Sequence, residues 1–385
     1  MSSFDFGSYV QAYLSISGAD NHASSHRKAT ASLAKLTFSW QVLTGGLTNH
    51  TARLSFAAPL RDVLSTSCIE DAHLDADLLD QVSVILKQAP PFIAADPTQA
   101  MSVDRQLIEK TALQILNSRD KGANKIESWK GLERLPEGMN VRIPRLIWHD
   151  RHKNVLWIED LGEKMKPLSE VLLDDSAPAA ESGSSEEQKK RARLERIASD
   201  LGSFLARLYS ATSNPPERFV SSLTTSSDHN SIHEYLARMV LDNLLRSEAG
   251  VSQTDARALA DRVRLGLQEN TKLSGEEMCL GMVDFWPGSV LIDIGDSDND
   301  GDGSPGCGLV DWEYFGPSNA ASELGMFCKL LSLVLLKSQL IDRASGTFTH
   351  PPAELNDIRA YERTDTTFRR WDVSRICKVT RSLGN

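Results

Sequence analysis

The chain has 385 residues, of which 41% are apolar, enough to fill two hydrophobic cores, so two covalently joined lobes are expected. Fifty-two acidic against 42 basic residues give a formal net charge of −10 with no long basic run, which argues against a nucleic-acid partner. The five cysteines are scattered without metal-type spacing and read as free cytoplasmic thiols; no basic leader precedes an apolar segment and Lys329 interrupts the most apolar later stretch, so neither a signal peptide nor a membrane partner is expected.

Residues 4–37 carry apolar positions at mixed three- and four-residue spacing, broken at SISGADN, and this predicts two short helices packed on the first lobe. From Trp40 the texture changes to short β-type runs, WQVL, TARLSF and VSVILK, with a glycine turn after the first and the polar stretch 61–80 before the third. An antiparallel sheet is expected. Leu107, Ile108, Ala112, Leu113, Ile115 and Leu116 then form a helical apolar stripe, and IPRLIWHD and NVLWIEDLG give two further strands. The Ser/Ala/Glu-rich stretch 174–190 reads as a flexible, solvated insertion. Beyond about residue 190 the chain reads as helical, except for GMVDFWPGSVLIDI and CGLVDWEYFGP, a hairpin whose connection, 295–306, is a second flexible insertion. That connection begins like a calcium loop at Asp296, Asp298, Asp300 and Gly301, but Cys307 stands where the twelfth-position glutamate is needed.

Four separated elements carry chemistry. Gly45 and Gly46 lie between two strand-like runs in TGGLTNHTARLSF, where backbone amides can approach phosphate oxygens unobstructed; an ordinary hairpin turn is the plain alternative. Lys87 in VSVILK and Glu109 in the next helix match a strand lysine that contacts nucleotide phosphates and the helix glutamate that orients it, against a merely solvated strand-end lysine. Asp284 opens a tight Pro-Gly loop in MVDFWPGSV, from which a carboxylate can take a hydroxyl proton while Ser289 reaches a metal; the alternative is a turn-forming aspartate. Asp311 leaves an apolar strand in GLVDWEYFGP with Glu313 two residues on along the same face, a pair suited to Mg²⁺, where a capping aspartate is the alternative.

On these residues the chain resembles the aminoglycoside phosphotransferase and choline kinase superfamily over about residues 39–335. KQAPPF after the lysine, serine in GSV where most relatives carry asparagine, and DWE followed by FGP bring methylthioribose kinase nearest. The resemblance implies an α+β, protein-kinase-like, two-lobed fold. A helical extension (1–38) would precede an antiparallel N-terminal sheet lobe (39–160) that binds nucleotide and a mainly helical C-terminal lobe (161–385) for catalysis and substrate. ATP and Mg²⁺ would be the cofactors. Gly45, Gly46, Asn49, Lys87 and Glu109 would position the nucleotide, and Glu159 and Asp160 in WIEDLG would hold adenine through their backbone. Asp284 would be the catalytic base, Asp311, Ser289 and Glu313 would hold magnesium, and Arg369 and Arg370 resemble a substrate-binding arginine pair. The implied reaction moves the γ-phosphoryl group of ATP to a hydroxyl of a small molecule: a sugar, an amino alcohol, or an aminoglycoside-like or methylthioribose-like compound. Relatives carry His-Gly where this chain has Met282-Val283, which removes a brace from the catalytic loop; the alternative function is therefore a pseudokinase that binds nucleotide or scaffolds. No HRD, DFG or APE motif appears, which sets protein kinases aside.

Overall fold

The computed structural model describes residues 4–20, 37–43, 46–64, 76–117, 140–174, 185–217, 252–270, 278–294 and 306–331 without residue 329, together with the single residues 220, 223, 238 and 241. Helix α1 (Phe6–Asp20) places Phe6, Val10 and Leu14 at four-residue intervals, and all three are buried. It continues through SISGAD, where the sequence predicts a break. A glycine inside a helix costs only about 1 kcal/mol relative to alanine, less than the buried stripe supplies, so Gly18 does not end it.

Strands β1 (Phe38–Leu43) and β2 (His50–Phe56) are followed by two four-residue helices, α2 (Leu60–Val63) and α3 (Ala76–Leu79), in the stretch that reads only as polar. Next come β3 (Ser83–Gln88), a small hairpin of β4 (Phe92–Ile93) and β5 (Asp96–Ala100), and helix α4 (Arg105–Leu116). After β6 (Val141–Arg142), strands β7 (Leu146–Asp150) and β8 (Val155–Glu159) complete a five-stranded antiparallel sheet of order β1-β2-β3-β8-β7. Strand β8 is buried along its whole length because its alternating side chains serve two cores. Val155 and Trp157 pack with α1 and with Leu54, Val84 and Leu86, whereas Leu156 and Ile158 face α4 and the C-terminal elements.

The second core joins α4 to α6 (Ser185–Ala211), reached through β9 (Met165–Pro167) and α5 (Leu168–Asp174). Helix α7 (Gln253–Asn270) precedes β10 (Cys279–Gly281), β11 (Val290–Asp293), β12 (Cys307–Leu309), β13 (Gly316–Ser318) and a helix over residues 320–328. The expected hairpin is present as β11 and β12, and β6 and β9 widen it into a four-stranded sheet of order β6-β12-β11-β9. Strands of two and three residues are too short to show a period. Helix α6 begins inside the stretch 174–190, so the end of that segment is helical; SEEQKKRARLER is rich in strong helix formers. Residues 175–184 and 295–305 lie outside the described set. Among the described residues no helix is long and apolar enough to cross a membrane.

Candidate active site

In β3 the register sets Lys87 opposite Thr51 of β2 and Leu156 of β8, so its side chain points to the face of the sheet that meets α4. On α4, Arg105 and Glu109 stand four residues apart on one face, both buried among Ile108, Ala112 and Leu113. The Lys87 ammonium donates to Glu109 Oε1 at 2.9 Å and to Asp311 Oδ1 at 2.8 Å. One cation thus joins the sheet, the helix and the loop after β12. Burial works against the charged ammonium, but Asp311, Glu109 and Glu313 together outweigh it and hold Lys87 protonated. Burial pushes the Glu109 carboxyl upward, with Lys87 opposing, so Glu109 is the member of the pair whose charge responds to pH.

Asp284 lies three residues beyond β10, on the loop that leads into the turn Pro287–Ser289. Asp284 is exposed to solvent although protein packs densely around it. Burial, then the charges of Glu313, Asp311 and Glu323, raise its pKa to about 7, with Lys87 opposing. Water at this exposed residue moderates the burial part, and the three acidic neighbours keep the direction upward. Asp284, Asp311, Lys87 and Glu109 therefore share one electrostatic neighbourhood.

Other predicted residues are placed differently. Ser289 is fully buried; its hydroxyl donates to Trp286 O at 2.7 Å and faces Trp286 N at 3.3 Å, so it caps its own turn and is not turned toward a metal. Glu313 is also buried: Oε1 accepts from Thr48 Oγ1 at 2.5 Å, Oε2 accepts from Asn49 Nδ2, and Arg105 Nε stands 3.5 Å from Oε2. Asn49 itself takes a bond from Arg105 Nε at 3.2 Å, which makes it part of a polar network under the glycine turn. Glu159 is gripped by Arg142 at 2.6 Å and Arg145 at 3.0 Å, and its amide donates to Arg145 O at 2.8 Å, so it belongs to the sheet and is not a free backbone donor for a base. Asp160 accepts from Arg53 at 2.7 Å and from Gly162 N at 3.0 Å, so its carboxylate stiffens the segment leaving β8. Gly46 has open surroundings, a Cβ there meeting only Asn49 O at 3.5 Å. Gly45, Arg369 and Arg370 lie outside the described residues.

Of the three expected magnesium ligands, Asp311 alone has a carboxylate open enough to serve, with its side chain 35% exposed beside Lys87. Among the described residues no group of three or more His, Cys, Asp or Glu side chains is arranged to hold a metal. Mg²⁺ commonly takes one or two protein carboxylates and fills its octahedron with phosphate oxygens and water, and Asp311 fits that mode.

No family model matches the chain. It is 23% identical over 301 residues to a 4-hydroxytryptamine kinase of Psilocybe cubensis, covering 75% of this chain and 67% of that protein. Solved structures that align with it include the GDP and kanamycin complex of the aminoglycoside phosphotransferase APH(2″)-IIia, at 12% identity over 84% of this chain and 88% of that one with a TM-score of 0.35. A choline/ethanolamine kinase family protein from Mesorhizobium loti aligns at 12% identity over 84% and 74% of the two chains, with a TM-score of 0.36. A macrolide 2′-phosphotransferase type I aligns at 14% identity over 91% and 86%, with a TM-score of 0.35. The antiparallel sheet lobe, the strand lysine paired with a glutamate of the next helix, and the same lysine meeting an aspartate of the second lobe decide the fold. The fold is kinase-like.

Within this kinase-like fold, the loop bearing Asp284 is braced by a residue the sequence does not single out. Glu323, buried in the helix over 320–328, accepts from Val283 N at 2.8 Å and Met282 N at 3.3 Å, and Tyr209 OH of α6 donates to it at 2.8 Å. Gly281 makes room for this carboxylate, since a Cβ there would fall 1.9 Å from Glu323 Oε1. Met282 is packed in the second core, and Val283 holds φ at 65°, a left-handed conformation that is costly for a β-branched residue. The brace absent from the side chains of Met282-Val283 is supplied to their backbone. The one signal in the sequence is a glutamate on the apolar face of SELGMF, next to Leu324 and Phe327. Glu323→Gln turns an NH₂ group toward at least one of three donors, and a loss of about 1–3 kcal/mol is expected in denaturant unfolding; an unchanged midpoint would remove the brace.

Proposed function

We infer that this chain is an ATP-dependent phosphotransferase that moves the γ-phosphoryl group to a hydroxyl of a small molecule. The observation that carries the reading is the double pairing of Lys87 with Glu109 and Asp311, in the neighbourhood of Asp284. In the Mg²⁺-ATP complex Lys87 would exchange its bond to Asp311 for phosphate oxygens while Glu109 keeps it in place, and Asp311 would be free to hold the ion. Magnesium would neutralise charge developing on the phosphates. Asp284 would take the proton of the attacking hydroxyl, and a pKa raised above the ordinary carboxylate range suits it to that task. The backbone beyond Glu159, kept rigid by Arg53 and Asp160, would meet the base. The cytoplasm, where ATP is plentiful and free thiols persist, is the proposed location.

The acceptor classes are those that the sequence suggests, sugars, amino alcohols, aminoglycoside-like and methylthioribose-like compounds. The Psilocybe relative adds hydroxylated tryptamines. Glu323 favours an enzyme over a pseudokinase, because a bound loop backbone keeps Asp284 in one position. Thermal unfolding tests the nucleotide half of the proposal: Mg²⁺-ATP at a hundredfold excess over its dissociation constant should stabilise the protein by about 2.7 kcal/mol. ATP with EDTA should do much less, and equal shifts in both conditions would contradict the role given to Asp311.

A further inference from the structure

Glu313 sits two residues after Asp311, and both of its oxygens are engaged in binding the other lobe. Oε1 takes the Thr48 hydroxyl at 2.5 Å and Oε2 takes the Asn49 amide, so the residues that end the glycine turn are bonded side by side on one carboxylate. Arg105, 1% exposed, closes the arrangement from α4: Nη2 donates to Thr48 O at 2.9 Å and Pro90 O at 3.0 Å, and Nε donates to Asn49 Oδ1 at 3.2 Å while lying 3.5 Å from Glu313. The β4–β5 hairpin supports the turn from its far side, with Ala95 N donating to Leu47 O at 2.9 Å. Each oxygen keeps a second lone pair, but Glu313 is 4% exposed, so a metal could reach it only by displacing Thr48, Asn49 or Arg105 from around it. It would also weaken the pairing of the buried Arg105, and leaving a buried charge short of its partner is costly.

We propose that Glu313 is a positioning residue that fastens the glycine turn to the Asp311 loop, and that it does not hold the metal. Resting on the phosphotransferase reading, the consequence is that the turn over the phosphates and the aspartate beneath them are placed by one shared contact. Breaking it would free the turn and let nucleotide escape, while Asp311 would remain available to hold the metal.

The test uses the full chain with ADP and Mn²⁺, comparing Glu313→Gln, Asn49→Ala, the double variant and Asp311→Asn. Stopped-flow release of a fluorescent ADP should quicken by roughly tenfold in Glu313→Gln, the effect of losing one charge-assisted hydrogen bond. Asn49→Ala should quicken it similarly, and the double variant should do little more than either, because the two side chains act through one contact. Mn²⁺ affinity at saturating ADP, read by electron paramagnetic resonance, should fall in Asp311→Asn and stay within about twofold of wild type in Glu313→Gln. A drop of about tenfold or more for Glu313→Gln, with Asn49→Ala unaffected, would make Glu313 a metal ligand and overturn the proposal. Melting temperatures of the nucleotide-free variants give an independent reading: sub-additive losses for the Glu313 and Asn49 changes support the fastener, and additive losses overturn it. A wild type that binds no nucleotide would refute the phosphotransferase reading, and the melting cycle would still decide whether the two lobes are fastened.

Discussion

Asp284→Asn is expected to bind Mg²⁺-ATP as the wild type does and to transfer phosphate about 10²–10⁴-fold more slowly. Nucleotide contacts are assigned to Lys87, Asp311 and the backbone beyond β8, none of which this change removes, whereas the substrate hydroxyl loses its proton acceptor. The loop should survive the substitution, because its backbone is held by Glu323 and not by the Asp284 side chain. The upward shift of Asp284 adds a pH signature. Only the ionised carboxyl can accept a proton, so kcat/KM of the wild type should climb with pH and level off above the ordinary carboxylate range, not near 4. Initial rates and equilibrium binding measured side by side would show the separation, and equal rates in the two proteins would remove Asp284 from the chemistry.

Lys87→Met is expected to lower stability by about 3–5 kcal/mol as well as weaken nucleotide binding, because it strands a carboxylate that is 2% exposed. The pH dependence has a definite sign. Without the lysine the folded-state pKa of Glu109 rises further above its unfolded value, so the native state binds a proton that the unfolded chain has already released. That part of the stability is present below the unfolded pKa and is lost as pH rises toward the folded one, so the deficit of the variant should be smaller at pH 5 than at pH 8. Adding Glu109→Gln removes the buried charge and should restore most of the stability without restoring nucleotide affinity. Urea unfolding at the two pH values checks both points, and a deficit independent of pH and of Glu109 would contradict the buried-pair account.

The parts of the site that were legible in the sequence are those whose chemistry depends on one residue in a local frame. Lys87 ends a β-type run and Glu109 lies on the next helix, and sheet register brings them to 2.9 Å. Asp284 and Asp311 each follow a short apolar strand and open a turn. What the sequence hides is which oxygen faces which donor. Ser289 and Glu313 have the right atoms for a metal, but Trp286 takes one and Thr48, Asn49 and Arg105 take the other. Glu323 bonds to backbone amides 40 and 41 residues away, a contact that side-chain identities do not encode. In the fold, the antiparallel sheet followed from period-two runs, while β6 and β9 were too short to carry a period, and SISGAD read as a break because its small residues hide a helix anchored elsewhere by Phe6, Val10 and Leu14.

The most direct test of the central claim follows the phosphoryl group itself. The wild-type chain is incubated with Mg²⁺ and ATP labelled in the γ-phosphate, together with sugars, amino alcohols, aminoglycosides, methylthioribose and hydroxylated tryptamines in separate reactions, and the products are resolved. The account predicts label on a hydroxyl of at least one acceptor, with stoichiometric ADP, and loss of that transfer in Asp284→Asn. Tight Mg²⁺-ATP binding with no label on any acceptor, and ATP hydrolysis unchanged by Asp284→Asn, would contradict it and leave a nucleotide-binding pseudokinase.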